Sequence, residues 1–325
     1  MMEVVVLSQA QVRELLPVDE CIDLMERALI DLTNGDIWHP LRTVMRPPDE
    51  PSLMGMMAAH RSAPKPAYAI KVICIFPGNR ARGLESHMGT VTLFDGETGA
   101  PLAIVDAGAV TAIRTAAVSA VATRALARDD ATRLTVLGAG IQARAHLEAL
   151  AVVRPFESAR IWGRTEALAR TLAEEVEMPF PVEVAPSAQE ALAGADVIAT
   201  TTASPEPIVS RDWLAPGAHI NAVGSSIPTA REIDSATMGA AALFADRRES
   251  LYAEAGDYLL AVDEIGPSEV RAELGEVLTG AGEGRRDDEE LTLFKSLGLA
   301  AEDLAAVEHL YRRATETDTG QRVQL

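Results

Sequence analysis

The feature that most constrains this chain is a rhythm that begins at Arg133. From there, runs of strand length alternate with helical stretches: "RLTVLG", "IQARAHLEALAVV", "SARIWG", "TEALARTLAEEV", "PVEVA", "SAQEALAGA" and "DVIATTT", then "AHINAVGS" and "AALFAD". Such alternation predicts a parallel sheet with right-handed crossovers. Its first turn is specific. In "TVLGAGIQARAH" (135–146), Gly138, Gly140 and Ala143 fall in the order of a tight turn, a close backbone approach to a pyrophosphate, and close helix–strand packing. The helix opening at Ile141 and Gln142 aims its first N–H groups at an anion. Three small residues alone are a weak signal. Placed after a strand, at the start of a helix and at the head of a βα series, they meet the requirements of a dinucleotide-binding turn. An ordinary structural loop is the alternative.

The preceding region reads differently. "EVVVLSQAQVRELL" predicts a short strand and a helix capped by Ser8, and "VDECIDLMERALIDLTNG" a second helix ending near Gly35. "SLMGMMAAH", "YAIKVICIFPGN" and "GTVTLFDGETGAPLAIVD" are short β-rich runs, with "DGETG" as a hairpin turn. Residues 1 to about 115 therefore read as an α+β domain with an antiparallel sheet, left through the helix "VTAIRTAAVSAVATRALA". The tail "LTLFKSLGLAAEDLAAVEHLYRRATE" reads as helical with an apolar stripe.

The strand after the first turn addresses which nucleotide is bound. It ends in Gly163, Arg164 and Thr165, where an NAD site usually has an acid for the ribose hydroxyls. Arg164 can pair with a 2′-phosphate and Thr165 can add a hydroxyl, so NADP(H) is favoured, with NAD(H) as the alternative. A solvated arginine opening a helix is the plainer reading. "ATTTASP" and "NAVGSS" end later strands, at the rim where open α/β sheets bind ligands. Thr201, Thr202, Val223 and Gly224 are candidates for the nicotinamide side, with strand packing as the plain alternative for the threonines.

Charge and cysteine content narrow the class. A net charge of −19 with no basic patch argues against nucleic acid. Two cysteines, Cys21 and Cys74, in apolar surroundings read as buried thiols rather than a disulfide scaffold. "MMEVVVLSQA" does not read as a secretion signal, and no run reads as the ~18 apolar residues of a membrane helix. A cytoplasmic protein is the expectation. The histidines, His39, His60 and His87 among them, have no metal-ligand spacing, so no metal is expected. Two cations sit in apolar settings: Arg114 in "AVTAIRTAAVSAV" and Lys71 in "YAIKVICI". An unpaired buried charge is expensive, so each must find an anion, whether a protein carboxylate, a phosphate or a substrate.

Taken together, "AIKVICIFPGN", "SHMGTVTLFDGETGAPLAIVDAGAVTAIRTAAVSAVA", "TVLGAGIQARAH", "INAVGSS" with "REID", and "LTLFKSLGLAAEDLA" make a chain that resembles the ornithine cyclodeaminase/mu-crystallin family over nearly its whole length. The resemblance implies an α/β fold: a Rossmann-type NAD(P)-binding domain, here 116–299, and an α+β substrate-binding and dimerisation domain, here 1–115 with 300–325. It implies a small 2-imino or 2-amino carboxylate as substrate and a homodimer. It also implies roles. Arg42 and Arg114 would grip the substrate carboxylate, Lys71 would lie beside the reacting carbon, and Thr90 would be a pocket hydroxyl. "FKSLG" (294–298) would fold back near the nicotinamide, with Lys295 and Ser296 as site residues; a helix start is its simpler role. His87 is a weaker candidate acid. Glu232 and Asp234 in "REID" read as a helix cap or brace rather than a catalytic pair.

One departure bears on the reaction. Cyclodeaminases of the family typically carry an aspartate where "VGSSIPTARE" has Ser226. Serine cannot act as a carboxylate base, but it can hydrogen-bond an imine nitrogen. The expected activity is therefore NAD(P)H-dependent reduction of a cyclic imino acid such as pyrroline- or piperideine-2-carboxylate. The rivals are an amino-acid dehydrogenase, a cyclodeaminase acting on ornithine or lysine, and a binding protein without turnover.

Overall fold

In the computed structural model, which describes residues 3–325, β1 (Glu3–Leu7) ends at Ser8. Reciprocal bonds between Ser8 and Gln11 open α1 (Gln9–Leu15). α2 (Val18–Asn34) follows and stops at Gly35. The chain then turns strand-rich: β2 (Ile37–Trp38), β3 (Thr43–Met45), β4 (Leu53–Arg61), β5 (Ala67–Ile75), β6 (His87–Asp95) and β7 (Pro101–Asp106). Asp95 shapes the β6–β7 hairpin by accepting from the amides of Glu97 and Thr98. α3 (Ala107–Leu126) comes next.

The predicted alternation follows: β8 (Arg133–Leu137), α4 (Ile141–Val153), β9 (Ser158–Trp162), α5 (Glu166–Glu175), β10 (Val182–Val184), α6 (Ala188–Leu192), β11 (Val197–Thr200) and β12 (His219–Ala222). Beyond it lie α7 (Ser235–Ala240), β13 (Ala242–Ala245), α8 (Arg248–Glu254), α9 (Gly256–Ile265), β14 (Val270–Glu273), α10 (Leu274–Thr279) and β15 (Thr292–Lys295). α11 (Ala300–Glu316) and β16 (Gln321–Gln324) end the chain. Two compact units result. The first runs to Arg114 and resumes over Leu299–Leu325; the second is Thr115–Gly298.

The second unit holds an eight-stranded sheet in the order β10-β9-β8-β11-β12-β15-β13-β14, parallel throughout. Strand order reverses between β8 and β11, which opens a crevice at the strand carboxyl ends. β11, β12, β13 and β15 are buried along their whole length, as strands covered on both faces are. β15 corrects the sequence reading. "TLFK" is a central strand, and the C-terminal helix starts only at Ala300. A short apolar run does not itself distinguish strand from helix.

The first unit holds a mixed sheet in the order β16-β1-β7-β6-β5-β4-β2, with β3 also on β4. It is antiparallel as read, except that β1 and β7 are parallel. Alternation gives it two faces. Met57, Ala69, Lys71, Ile73, Val91 and Leu93 form a buried face, on which α11 packs. Met56, Ile70, Val72, Thr90 and Ile104 face the other way and stay partly open.

Two sequence expectations change here. α3 is long and apolar enough to cross a membrane by length and composition. Its Val110, Val118, Val121 and Leu126 are fully buried, so it serves as a core helix. Of the cysteines, Cys21 is buried but Cys74 only half so.

Candidate active site

The turn after β8 has the geometry its small residues require. Gly138 has φ +131°, in the region that favours glycine. A Cβ there would lie 2.3 Å from the Thr201 hydroxyl oxygen. Its N–H donates to the Trp162 carbonyl at 2.7 Å. Gly140 is the extended N-cap of α4, with no side chain capping that helix, so its first N–H groups face outward for an anion. Ile141 is half-exposed, Gln142 follows it partly buried, and Ala143 is fully buried against the sheet. Arg164 and Thr165 are exposed, with Thr165 at the N-cap of α5.

The other candidate positions on the second unit meet at the ends of β11, β12 and β15. Thr201 donates from both its N–H and its hydroxyl to the Leu137 carbonyl, at 2.8 and 3.0 Å. Thr202 donates from both groups to Glu232, each at 2.6 Å. Both threonines thus have structural bonds of their own. Val223 and Gly224 donate to the Thr200 carbonyl, and Ser226 is half-buried in the following turn. Lys295 is fully buried and paired with Asp257 at 2.8 Å. Ser296 is 2% exposed, and its hydroxyl has no hydrogen-bond partner among the described residues. Asp234 caps α7 through the Thr237 amide, as a brace should.

On the first unit, Lys71 and Arg114 share one anion. Lys71 Nζ lies 2.6 Å from Asp303 Oδ2. Arg114 reaches Glu302 Oε2 through Nη1 at 3.0 Å and Asp303 Oδ1 through Nε at 3.2 Å. All four side chains are at most 5% exposed. Burial pulls the Lys71 pKa down to about 8; Asp303 opposes the fall, while Arg114 and Arg42 add to it. Burial alone would raise the Asp303 carboxyl, but Lys71 and Arg114 outweigh it and hold it below its ordinary value. Lys71 and Arg114 thus share Asp303, and the positive charge of Arg42 reaches Lys71.

Thr90 does not belong to that cluster. Lys71 pairs with Val91, whereas Thr90 pairs with Val72 on the opposite, open face of the sheet. One position of register separates the two faces. His87 is exposed at the start of β6, beside Ser86. Among the described residues, no group of three or more His, Cys, Asp or Glu is placed to hold a metal ion.

Sequence reasoning missed three acids: Glu302, Asp303, and Glu232 in its bonding role. The signal for the first two was present. Both fall in the first turn of α11 among Leu299, Ala300, Ala301 and Leu304, where a charge is out of place unless paired.

The sequence profile of the ornithine cyclodeaminase/mu-crystallin family matches residues 2–318. Ketimine reductase mu-crystallin of Mus musculus is 41% identical over 290 residues, covering 88% of this chain and 90% of that one. The solved Delta(1)-pyrroline-2-carboxylate reductase of Thermococcus litoralis, in complex with NADH and L-proline, superposes with TM-score 0.95 at 35% identity, covering 98% of this chain and all of that one. An archaeal alanine dehydrogenase dimer with bound NAD superposes with TM-score 0.94 at 32% identity, over the full length of both. These two structures hold NAD(H), which overturns the expectation of NADP(H). Arg164, on which that expectation rested, is a single exposed guanidinium, and an exposed charge pair gains little.

Proposed function

The chain belongs to the ornithine cyclodeaminase/mu-crystallin family, and from that premise we propose that it reduces a small cyclic imino acid, of pyrroline- or piperideine-2-carboxylate type, with NADH. The observation that carries this reading is that Lys71 and Arg114 are buried on one shared acid, Asp303, in the first unit of a chain whose second unit bears a dinucleotide turn. The residues of the second unit fit such a cofactor. Gly138 leaves no room for a Cβ, the N-terminus of α4 has no side-chain cap, and Ser296 keeps a buried hydroxyl without a partner among the described residues. The chemistry supplied by a bound reduced nicotinamide is hydride donation to the C=N carbon.

The chain's own residues supply position and a proton. Arg42 and Arg114 grip the substrate carboxylate through forked hydrogen bonds. Arg114 is anchored beforehand by Glu302 and Asp303, so its orientation is set before substrate arrives. Lys71 gives the ring nitrogen its proton; with a pKa of about 8 it is charged at neutral pH yet parts with the proton more readily than an exposed lysine. Ser226, in place of a carboxylate, favours this reduction over cyclodeamination of ornithine. A second copy of the chain covers the open face of the mixed sheet, where Tyr68 and Met88 are each about half exposed.

The test is an absorbance assay of NADH with pyrroline-2-carboxylate, piperideine-2-carboxylate, and pyruvate plus ammonia, alongside ammonia release from ornithine. The reading predicts NADH oxidation fastest with a cyclic imine and no ammonia from ornithine. Oxidation only with pyruvate plus ammonia would make the chain an amino-acid dehydrogenase, and ammonia from ornithine would make it a cyclodeaminase.

A further inference from the structure

Glu232 has no solvent exposure and accepts four hydrogen bonds. Oε1 takes the Thr202 N–H and hydroxyl, both at 2.6 Å; Oε2 takes the Thr200 hydroxyl at 2.7 Å and the Gly224 N–H at 2.8 Å. One carboxylate thereby ties the chain leaving β11 to the chain leaving β12. The fit is tight at Gly224, where a Cβ would lie 2.1 Å from the Thr202 carbonyl oxygen and 2.6 Å from both Glu232 oxygens.

The tie continues. The N–H groups of Glu232 and Ile233 donate to Asp257 Oδ1 at 2.7 and 3.0 Å, and Asp257 Oδ2 pairs with Lys295 Nζ at 2.8 Å. Lys295 ends β15, and the next residue is Ser296, whose buried hydroxyl has no partner among the described residues. Three neighbouring strand ends at the carboxyl edge are thus joined by one buried acid–acid–lysine chain. Burial and the neighbouring Asp257 hold the Glu232 carboxyl above its ordinary value, and burying three such ionisable groups costs more than packing apolar side chains of the same volume, so stability alone does not account for the arrangement. Its effect is to hold three loops in one fixed relation beside an unsatisfied hydroxyl.

We propose that Glu232 is a positioning residue for the nicotinamide half of the dinucleotide. Its carboxylate locks Thr202 and Gly224 into one wall for the nicotinamide, while its backbone N–H, held by the Asp257–Lys295 pair, keeps that wall beside Ser296. The proposal rests on the dinucleotide reading above. The adenosine and pyrophosphate half is held elsewhere, at Gly138 and the start of α4, and does not depend on Glu232.

That division gives the test. Calorimetric titration compares NADH with ADP-ribose, which lacks the nicotinamide, on wild type and Glu232→Gln, with the melting temperature of each ligand-free protein recorded. The expected result is a loss of about tenfold in NADH affinity, with ADP-ribose affinity unchanged and a folded variant. Equal losses for both ligands, or no loss, would overturn the proposal. Wild type binding neither ligand would instead remove the dinucleotide reading itself. Should Glu232→Gln not fold, Thr202→Val removes one of the four bonds and keeps the carboxylate. A selective loss for NADH then supports the proposal, and an equal loss or none overturns it.

Discussion

Lys71 and Asp303 are a buried ion pair whose members depend on each other. A lysine this deeply buried keeps its proton at neutral pH only because Asp303 offsets the cost of burial and the nearby positive charge of Arg114 and Arg42. As proton donor, Lys71 is competent below its pKa of about 8, so kcat/KM for imine reduction is flat at lower pH and falls as pH rises through that value. Asp303→Asn removes the stabilising charge, lowers the lysine pKa further and moves the falling limb to lower pH. The same change leaves Lys71 and Arg114 short of an anion and costs about 3–5 kcal/mol of stability. A pH–rate profile and a denaturant titration of the variant check both parts; an unmoved limb would remove Lys71 from the proton transfer. Arg114 and Lys71 were readable as cations in need of an anion, but their partner was not. Arg114 and Asp303 lie 189 positions apart, and local pattern carries no information on such a pairing.

At the level of elements, legibility follows from how local the determining chemistry is. Ser8 opening α1, the Asp95 hairpin and the Gly138 turn each depend on a few adjacent residues, and all three are where the sequence puts them. The segment 247–279 yielded no elements, because α8, α9, β14 and α10 are short and mix charged with apolar residues, so no period emerges. β15 has a helix-like sequence for a related reason: its four residues are all buried in a strand that only its neighbours β12 and β13 define. Gly138 gives a prediction at this scale. Gly138→Ala forces a side chain onto Thr201 and into a φ that alanine resists, at about 1–3 kcal/mol. NADH affinity should fall by on the order of tenfold or more, read by quenching of protein fluorescence. Unchanged affinity would mean that the turn does not approach the cofactor.

At the scale of the whole molecule, the two units divide the labour: the second carries the dinucleotide turn and the first the cationic cluster. The first also keeps a sheet face of Met56, Ile70, Val72 and Ile104 that is only partly covered within one chain. Val72→Glu places a charge in the middle of that face and should shift sedimentation from dimer to monomer; a variant that stays dimeric would put the interface elsewhere. Hydride is expected to reach the ring carbon bearing the carboxylate. The most direct measurement uses NADH deuterated at the transferable position of nicotinamide C4, with pyrroline-2-carboxylate as substrate and mass and NMR spectra of the product. One deuterium on the carbon next to the carboxylate, with one NADH consumed per product formed, is the predicted result. Product without the label, or no turnover of either this imine or piperideine-2-carboxylate beside an active wild-type reductase control, would contradict hydride transfer to that carbon.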